Sequence, residues 1–459
     1  MVNSTSKPWI RPPGILGDIA DFIYANAVNQ VFEVAIAATC AYVSGIVGRT
    51  YNISHTGLNG YYILLALTAG GKEGAAQGMD KLTGAVRLLV PTLIDQFMGP
   101  SGLQSAPALI KQLNETPCFL SHKGEIGLWL QKLTAKYANP NDVDLRGLLL
   151  DLFSKSGYGQ VIRGSVYSDR AKNVPSINNP ALTIFGDSTP LNFYKALNED
   201  SISEGLVSRL TIFECPDKRP TYNKLNNSIS PDSLLVSKLA TLVKKCIEKD
   251  QTNEVINIAE TEDATTYHMA FRERCMDRAY DDRENPTAQI WTRAHLRLLR
   301  LAGLAAVCVN PDAPCVDLEC LQWAEQIVLR SVEAIVRRFE AGEVGEKNLI
   351  NEQRKLLANI FIDFYYSKWN SQTAHSWGTT QEMHDARILP MRAISQKSSG
   401  YACFLNDKNP INSRNNLLRE FMQNGVIGLS YPPTCPTKGK RGQMYVVLDV
   451  SSLTKTNRV

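Results

Sequence analysis

Short apolar runs alternate with amphipathic stretches in the first half of this chain. Four runs are flanked by turn residues: YYILLAL (61–67), PCFLS (117–121), ALTIFGDST (181–189) and RLTIFE (209–214). Unbroken runs of this length are typical of strands buried on both faces, and the stretches between them of helices. The alternation predicts an α/β fold class, with a three-layer domain and a mainly parallel sheet over residues 56–215.

Different patterns flank this block on both sides. Residues 14–48 favour two helices within an N-terminal helical segment, 1–55. After Glu214 a linker rich in Pro, Asn and Ser leads into a mostly helical region over 233–341, with a short strand at EVINIA. The long helix LINEQRKLLANIFIDFYYSKW then opens a C-terminal region over 349–459. We therefore expect an α/β core, a helical lid and a separate C-terminal domain.

The C-terminal region has the order of a winged helix. RNNLLREFMQNGVIGLSY predicts a helix and a strand, and TKGKRGQMYVVLDV predicts a basic turn and a second strand. Arg414 and Arg419 lie on the helix, and the turn carries Lys438, Lys440 and Arg441. These five charges predict salt-dependent binding of DNA phosphates. The alternative is a protein-binding winged helix whose basic turn is incidental.

Composition excludes several classes of protein. The net charge of the 459 residues is only +4, so nucleic-acid binding requires a local basic surface. Ten cysteines form no CxxC pair and six histidines form no HExxH, which argues against zinc ribbons, disulfide frameworks and protein-built metal sites. The start resembles no signal peptide, and the most apolar stretch carries Glu33 and is short for a bilayer. We expect a cytoplasmic protein without a membrane partner.

A glycine turn follows the first predicted strand, in LLALTAGGKEGAAQG. The phosphate-loop pattern G-x-x-x-x-G-K-[ST] would place glycine at Ala66 and a hydroxyl at Glu73, so two positions depart from it. Backbone N–H groups at a helix start bind phosphates, and Lys72 would reach the β- and γ-phosphates. The candidate nucleotide-binding residues of the turn are Gly70, Gly71, Lys72, Glu73 and Gly74. The alternative is a plain glycine turn with a solvated lysine.

Acidic residues follow two further strands. Glu125 comes after PCFLS and suits activation of water, although Gly124 replaces the aspartate that commonly precedes it. Glu73 and Glu125 are candidate Mg²⁺ ligands. Asp187 ends the third strand at the edge where ligands bind in open α/β sheets, and it is a candidate for sensing the γ-phosphate. The competing interpretation of this strand end is N-capping of the next helix by Thr189 or Ser188.

Several pieces occur together in a recognisable order. PPGILGDIADFI, GRTY, the turn ending in Gly-Lys-acid, NPALTIFGDSTP, EGLVSRL and HLRLLRLAGLAAV follow one another along the chain. The chain thereby resembles a phage and prophage P-loop ATPase family of unknown function, related to primase-associated helicases of the RecA-like and AAA+ type. The resemblance covers about residues 8–345, and family members commonly carry an acid after the loop lysine.

The resemblance implies an ATP- and Mg²⁺-dependent enzyme that forms a homo-oligomeric ring in a bacterial host cell. It implies that Arg209 acts as an arginine finger toward a neighbouring subunit's nucleotide. It also implies that Arg293 or Arg297, on the lid, acts as a second sensor arginine. Taken alone, Arg209 is better explained as a surface arginine, and Arg293 and Arg297 as ordinary solubilising residues of a helix.

Two functions follow from these observations. The first is an ATP-dependent DNA motor, a replication helicase of a phage or mobile element. The second is a non-hydrolysing or weakly hydrolysing nucleotide-binding assembly that loads, binds or scaffolds DNA replication or packaging partners. Lys72 and Arg209 favour the motor, whereas Ala66 and Gly124 favour the assembly. A small-molecule phosphotransferase fits poorly with a lid and a winged helix.

Overall fold

The structure, a computed structural model, describes the chain from residue 8 to residue 456 with internal gaps. The gaps are residues 136–137, 165, 167–172, 198–200, 203, 227, 281–286, 342, 345, 406, 408 and 431–442. The chain divides into two compact units, one ending at Phe339 and the other beginning at Glu340. The predicted N-terminal helices, core and lid lie together in the first unit. Across the described residues, we find no helix with the length and apolar character needed to cross a membrane.

The first unit combines helices with several small sheets around one parallel sheet. Its strands are β1 (Asn29–Gln30), β2 (Tyr51–Ile53), β3 (Thr56–Gly57), β4 (Tyr61–Leu65), β5 (Cys118–Lys123), β6 (Val161–Ile162), β7 (Ile177–Asn178), β8 (Ala181–Ser188), β9 (Leu210–Glu214), β10 (Thr221–Tyr222), β11 (Ile256–Asn257), β12 (Ala259–Glu260) and β13 (Cys315–Val316). Its helices are α1 (Gly14–Asn26), α2 (Phe32–Val47), α3 (Glu73–Leu89), α4 (Ala106–Glu115), α5 (Ile126–Leu133), α6 (Pro140–Ser154), α7 (Pro190–Ala196), α8 (Ser233–Thr252), α9 (Glu262–Tyr280), α10 (Ala288–Trp291), α11 (Ala294–Val309) and α12 (Leu318–Glu340). The expected mixed α/β organisation is confirmed.

The central sheet has the strand order β5-β8-β4-β9, and all of its pairings are parallel. Leu65 pairs with both Ser188 and Glu214, so the strands end at one common edge. Because parallel strands present their carboxyl ends together, the turns after β4, β5, β8 and β9 lie side by side.

Helices cover both faces of this sheet. Side chains of consecutive strand residues point to opposite faces. Tyr61 donates its hydroxyl to the Leu149 carbonyl in α6, 2.7 Å away, whereas the neighbouring Tyr62 hydroxyl lies 2.8 Å from Ser44 Oγ in α2. The sheet is therefore the middle of three layers, as the alternation predicted. The apolar helix α2 is buried almost throughout, with Glu33 hydrogen-bonded to the Trp9 indole.

Helix α11 is attached to the other end of the sheet by a buried arginine. The Arg300 guanidinium is only 2% exposed and lies 4.4 Å from the Phe153 ring centre. It donates to the Asn59 and Phe153 carbonyls and to the hydroxyls of Thr56 and Ser156. One side chain thus joins α11, α6 and the segment before β4.

The second unit is a smaller α/β arrangement with its own core. Its helices are α13 (Glu346–Tyr366), α14 (Ser371–Trp377), α15 (Gln381–Asp385), α16 (Met391–Ser399), α17 (Ala402–Leu405), α18 (Pro410–Gln423) and α19 (Val450–Thr456). Its strands are β14 (Ile388–Pro390), β15 (Ile427–Leu429) and β16 (Met444–Val447), which form an antiparallel sheet in the order β14-β16-β15. Apolar side chains of α13, α18 and the sheet, including Phe361, Leu418 and Tyr445, fill its core.

Candidate functional site

The glycine turn connects β4 to α3 and has little room for side chains. Ala69 and Gly71 have φ values of 61° and 88°, and the Gly70 N–H donates to the Leu67 carbonyl at 2.8 Å. A Cβ at Gly70 would lie 2.7 Å from the Leu67 oxygen, and one at Gly71 would lie 2.9 Å from the Asn29 oxygen. Glycine is therefore required at both positions, because any other side chain meets backbone.

Lys72 ends this turn and joins it to the two neighbouring strand ends. Its Nζ lies 2.6 Å from Glu125 Oε1 and 3.1 Å from Asp187 Oδ1. Burial acts to lower the pKa of Lys72, but hydrogen bonds to these two carboxylates outweigh it and raise the pKa. The structure thus brings together the lysine and both acids that we selected from the sequence.

The two carboxylates differ in their surroundings. The Glu125 side chain is 50% exposed, whereas that of Asp187 is 15% exposed. Burial acts to raise the pKa of Asp187, but hydrogen bonds from His122 and Lys72 outweigh it and hold the pKa below its ordinary value. Asp187 is therefore an ionised, fixed acceptor, and Glu125 is the acid that meets solvent.

His122 belongs to this cluster and was missed in the sequence. Its Nε2 lies 3.3 Å from Asp187 Oδ2, and its ring packs against Phe185 at 5.1 Å. It occupies the next-to-last position of β5, close in sequence to Glu125, which the sequence analysis had selected. A polar residue closing an apolar run at this sheet edge was the available signal.

The other residues of the turn and strand ends have more ordinary contacts. Glu73 begins α3 and is exposed, while a Cβ at Gly74 would meet the Ala27 side chain at 2.9 Å, so Gly74 permits close packing. Thr189 Oγ1 accepts from the Asn192 N–H at the start of α7, which agrees with N-capping. The buried Ser188 Oγ has no hydrogen-bond partner within the described part of the chain.

Two carboxylates of the site could bind Mg²⁺, provided that nucleotide phosphates supply further ligands. In the part of the chain that the structure describes, no group of three His, Cys, Asp or Glu side chains is placed to hold a metal ion. Mg²⁺ in phosphate-transfer sites usually takes one or two carboxylates, with phosphate and water oxygens completing its shell. Glu125 and Asp187 satisfy that smaller requirement, whereas Glu73 lies on the exposed side of α3.

Arg209 is not displayed on the surface, contrary to the expectation for an arginine finger. It is 9% exposed, at the amino end of β9 and thus at the opposite sheet edge from the glycine turn. Its guanidinium donates to the Gly205 carbonyl and to Ser154 Oγ. Burial is the main cause that lowers its pKa, with a smaller contribution from the charge of Arg293. As placed, Arg209 stabilises its own unit.

The two lid arginines also lie toward that opposite edge. Arg297 is 2% exposed and donates to the Leu210 carbonyl, the first residue of β9, and to Ser331 Oγ. Burial lowers its pKa to about 10. Arg293 is partly exposed and precedes α11. Arg297 therefore anchors α11 to the sheet at the edge opposite the glycine turn, which corrects the expectation that it acts as a second sensor arginine.

The C-terminal candidates divide into three cases. Arg414 is only 6% exposed, with its Nη1 3.2 Å from Ser395 Oγ and its guanidinium 5.1 Å from the Phe404 ring centre. It packs inward, so the expectation that it presents its charge to DNA is wrong for this conformation. Arg419 is exposed on α18. Lys438, Lys440 and Arg441 lie outside the described residues.

The chain matches no known protein family, and no curated protein matches it in sequence. The chemistry of the site therefore has to be argued from its own residues.

Proposed function

We propose that this protein is a P-loop-type ATPase that works as a DNA motor, with the turn before α3 as its phosphate site. The observation that carries the proposal is the placement of Lys72 between Glu125 and Asp187 at the carboxyl edge of a parallel sheet. A strand, a glycine turn and a helix in this order form the arrangement in which backbone N–H groups and a lysine bind phosphates.

The residues present fit a bound nucleoside triphosphate. Gly70 and Gly71 allow the tight turn that packs against the Leu67 and Asn29 carbonyls, and α3 begins directly after Lys72. Mg²⁺, when bound by Glu125 or Asp187 together with the phosphates, supplies charge neutralisation. These features support ATP and Mg²⁺ as the ligands of this edge of the sheet.

Each side chain of the cluster has a defined task in this proposal. Lys72 leaves Glu125 for the phosphates and stabilises the negative charge that develops on them. Glu125, then free and half exposed, orients the attacking water and accepts its proton. Asp187, held by His122, positions the water or the terminal phosphate. The cluster therefore combines charge stabilisation with a general base.

The DNA part of the proposal rests on the second unit and on the family resemblance. Helix α18 is followed by β15 and β16, and this order is that of a winged helix. Arg419 is exposed on that helix, and the sequence between the two strands carries Lys438, Lys440 and Arg441, which lie outside the described residues. A salt-dependent contact with phosphates is the chemistry that such a surface favours.

The second candidate is the non-hydrolysing nucleotide-binding assembly. The burial of Arg209 favours it, because a finger must reach a neighbouring subunit from the surface. The absence of a hydroxyl at Glu73 and of an acid at Gly124 also favours it, because both weaken Mg²⁺ binding.

Steady-state ATPase activity with and without single-stranded DNA separates the two. For a motor, we expect Mg²⁺-dependent turnover in the wild type that DNA stimulates, and its loss in Lys72→Ala. Lys111→Ala is the matched control, since Lys111 is exposed on α4. Equal turnover in wild type and Lys72→Ala would exclude this site. Absence of turnover in the wild type under all metal and DNA conditions would favour the assembly.

A further inference from the structure

A cavity of about 310 Å³ lies beside the glycine turn, on the side away from Lys72 and its acids. It lies between the turn after β4 and the segment after β9, and it includes Leu67, Gly70 and Cys215. Its opposite wall comes from α1 and the start of α2. Its volume is at the lower end of the range of about 300–1,000 Å³ that small-molecule sites span.

The far wall is connected to the glycine turn by the backbone. Strand β1 pairs with β10, so the segment between α1 and α2 is fixed to the segment after β9. The Asn29 side chain donates to the Ala69 carbonyl, and the Asn29 backbone oxygen lies 2.9 Å from where a Cβ at Gly71 would be. A molecule in the cavity therefore contacts elements that also set the conformation of the turn.

The lining of the cavity suits a flat, weakly polar ring system. Tyr24 and Phe32 contribute aromatic rings 6.0 Å apart at 76°, and the half-exposed Leu67 adds an aliphatic surface. Gln30 contributes an amide whose Nε2 donates to the Tyr24 carbonyl at 3.5 Å and still has a second N–H, and whose oxygen can accept from a ligand. Aromatic and aliphatic walls with one amide are what a nucleobase requires, since stacking holds its faces and hydrogen bonds its edge.

Charges at the rim fit the rest of a nucleotide. Lys218 and Arg219 line the cavity and are exposed, and within the described residues neither side chain has a hydrogen bond or ion pair. Glu33 also lines it, but its carboxylate already accepts from the Trp9 indole. With respect to the described residues, the cavity therefore offers two unpaired cations and one acid that already has a hydrogen bond, which favours an anionic ligand.

We infer that this cavity is a base subsite, which holds the nucleobase of the nucleotide whose phosphates lie on the glycine turn. The inference rests on the proposed function and assigns it a substrate class, a nucleoside phosphate rather than an inorganic phosphate. Phe32 stacks on the base, Gln30 hydrogen-bonds its edge, and Lys218 and Arg219 cover the opening.

Calorimetric titration of the full chain with two probes tests this assignment. ADP and pyrophosphate, each with Mg²⁺, carry the same diphosphate, and only ADP carries a base. We expect ADP to bind at least about tenfold more tightly than pyrophosphate. Phe32→Ala should weaken ADP binding by about 5- to 100-fold and leave pyrophosphate binding unchanged, since base stacking alone is lost. Tyr158→Ala, an exposed aromatic elsewhere in this unit, is the control.

The other outcomes are equally informative. Unchanged pyrophosphate binding also reports that Phe32→Ala keeps the phosphate site folded, and Gln30→Ala repeats the test without altering an aromatic wall. Equal affinities for ADP and pyrophosphate, or wild-type ADP binding in both variants, would overturn the base subsite and leave the proposed function standing. If neither probe binds to the wild type, the phosphate site fails and the base subsite fails with it.

Discussion

Two histidines in contact make the first unit sensitive to acid. His268 Nε2 lies 2.7 Å from Glu260 Oε2, and its Nδ1 lies 3.1 Å from His295 Nε2. The hydrogen bond between the two rings needs a proton on one of the facing nitrogens and none on the other, so a further proton on the pair breaks it. Burial, then the charges of His268 and Arg272, lower the pKa of His295 to about 4.

The expected loss of stability follows from this pKa. An unfolded histidine has a pKa of about 6.5, so the unfolded chain takes up a proton at this site before the folded one does. Folded-state stability is therefore lost as the pH falls from about 6.5 toward 4. Between pH 7 and pH 5 this linkage amounts to about 1–2 kcal/mol once partial solvent screening is allowed for.

Denaturant unfolding at pH 7 and pH 5 measures this loss. We expect His295→Gln to lose about 1–2 kcal/mol less than the wild type over that interval, because the variant has no proton to take up there. His375→Gln, an exposed histidine in the second unit, should keep the wild-type loss. An identical pH dependence in wild type and His295→Gln, or a His295 ring that titrates near 6.5 by NMR, would refute the reasoning.

Two further substitutions test the structural role of Arg300 and the catalytic role proposed for Glu125. Arg300→Met should lower the free energy of unfolding by about 3 kcal/mol or more, because the Asn59 and Phe153 carbonyls lose their buried donor. Urea titration measures this change. The control Arg272→Met, at an exposed arginine, should lower the free energy of unfolding by less than about 0.5 kcal/mol. Glu125→Gln should keep nucleotide binding but lower ATPase turnover by about 10²- to 10⁴-fold, the contribution of a general base, and wild-type turnover would remove Glu125 from the mechanism.

The strands and the glycine turn were predictable because their signals are local. An apolar run such as that of β4 has to be buried, whatever surrounds it, and Gly71 has to adopt a positive φ within its own turn. The parallel pairing of these strands then brings Lys72, Glu125 and Asp187 to one edge. The segments that form the site could therefore be predicted from the sequence.

The directions of the arginines were not predictable, because distant partners decide them. Arg209 turns inward because Gly205 and Ser154 offer it acceptors, and Arg414 does so because a ring of α17 lies beneath it. An arginine on a helix or before a strand gives no sign of such partners in one sequence. His122 was missed for the same reason, since its role depends on Asp187 in another strand.

The ion pairs of Lys72 are better suited to exchange than to permanent structure. The Glu125 side chain is 50% exposed, and an exposed pair of this kind contributes only about 0–1 kcal/mol. A phosphate with several charges can displace it at little cost. Asp187, only 15% exposed, keeps His122 as a partner when Lys72 moves, so no buried charge is left alone. Arg300, by contrast, donates to the Asn59 and Phe153 carbonyls, and among the described residues we find no second donor to replace it there. Lys72 and its carboxylates can therefore change partners, whereas Arg300 cannot. For this reason we assign ligand binding to the Lys72 cluster and stability to Arg300.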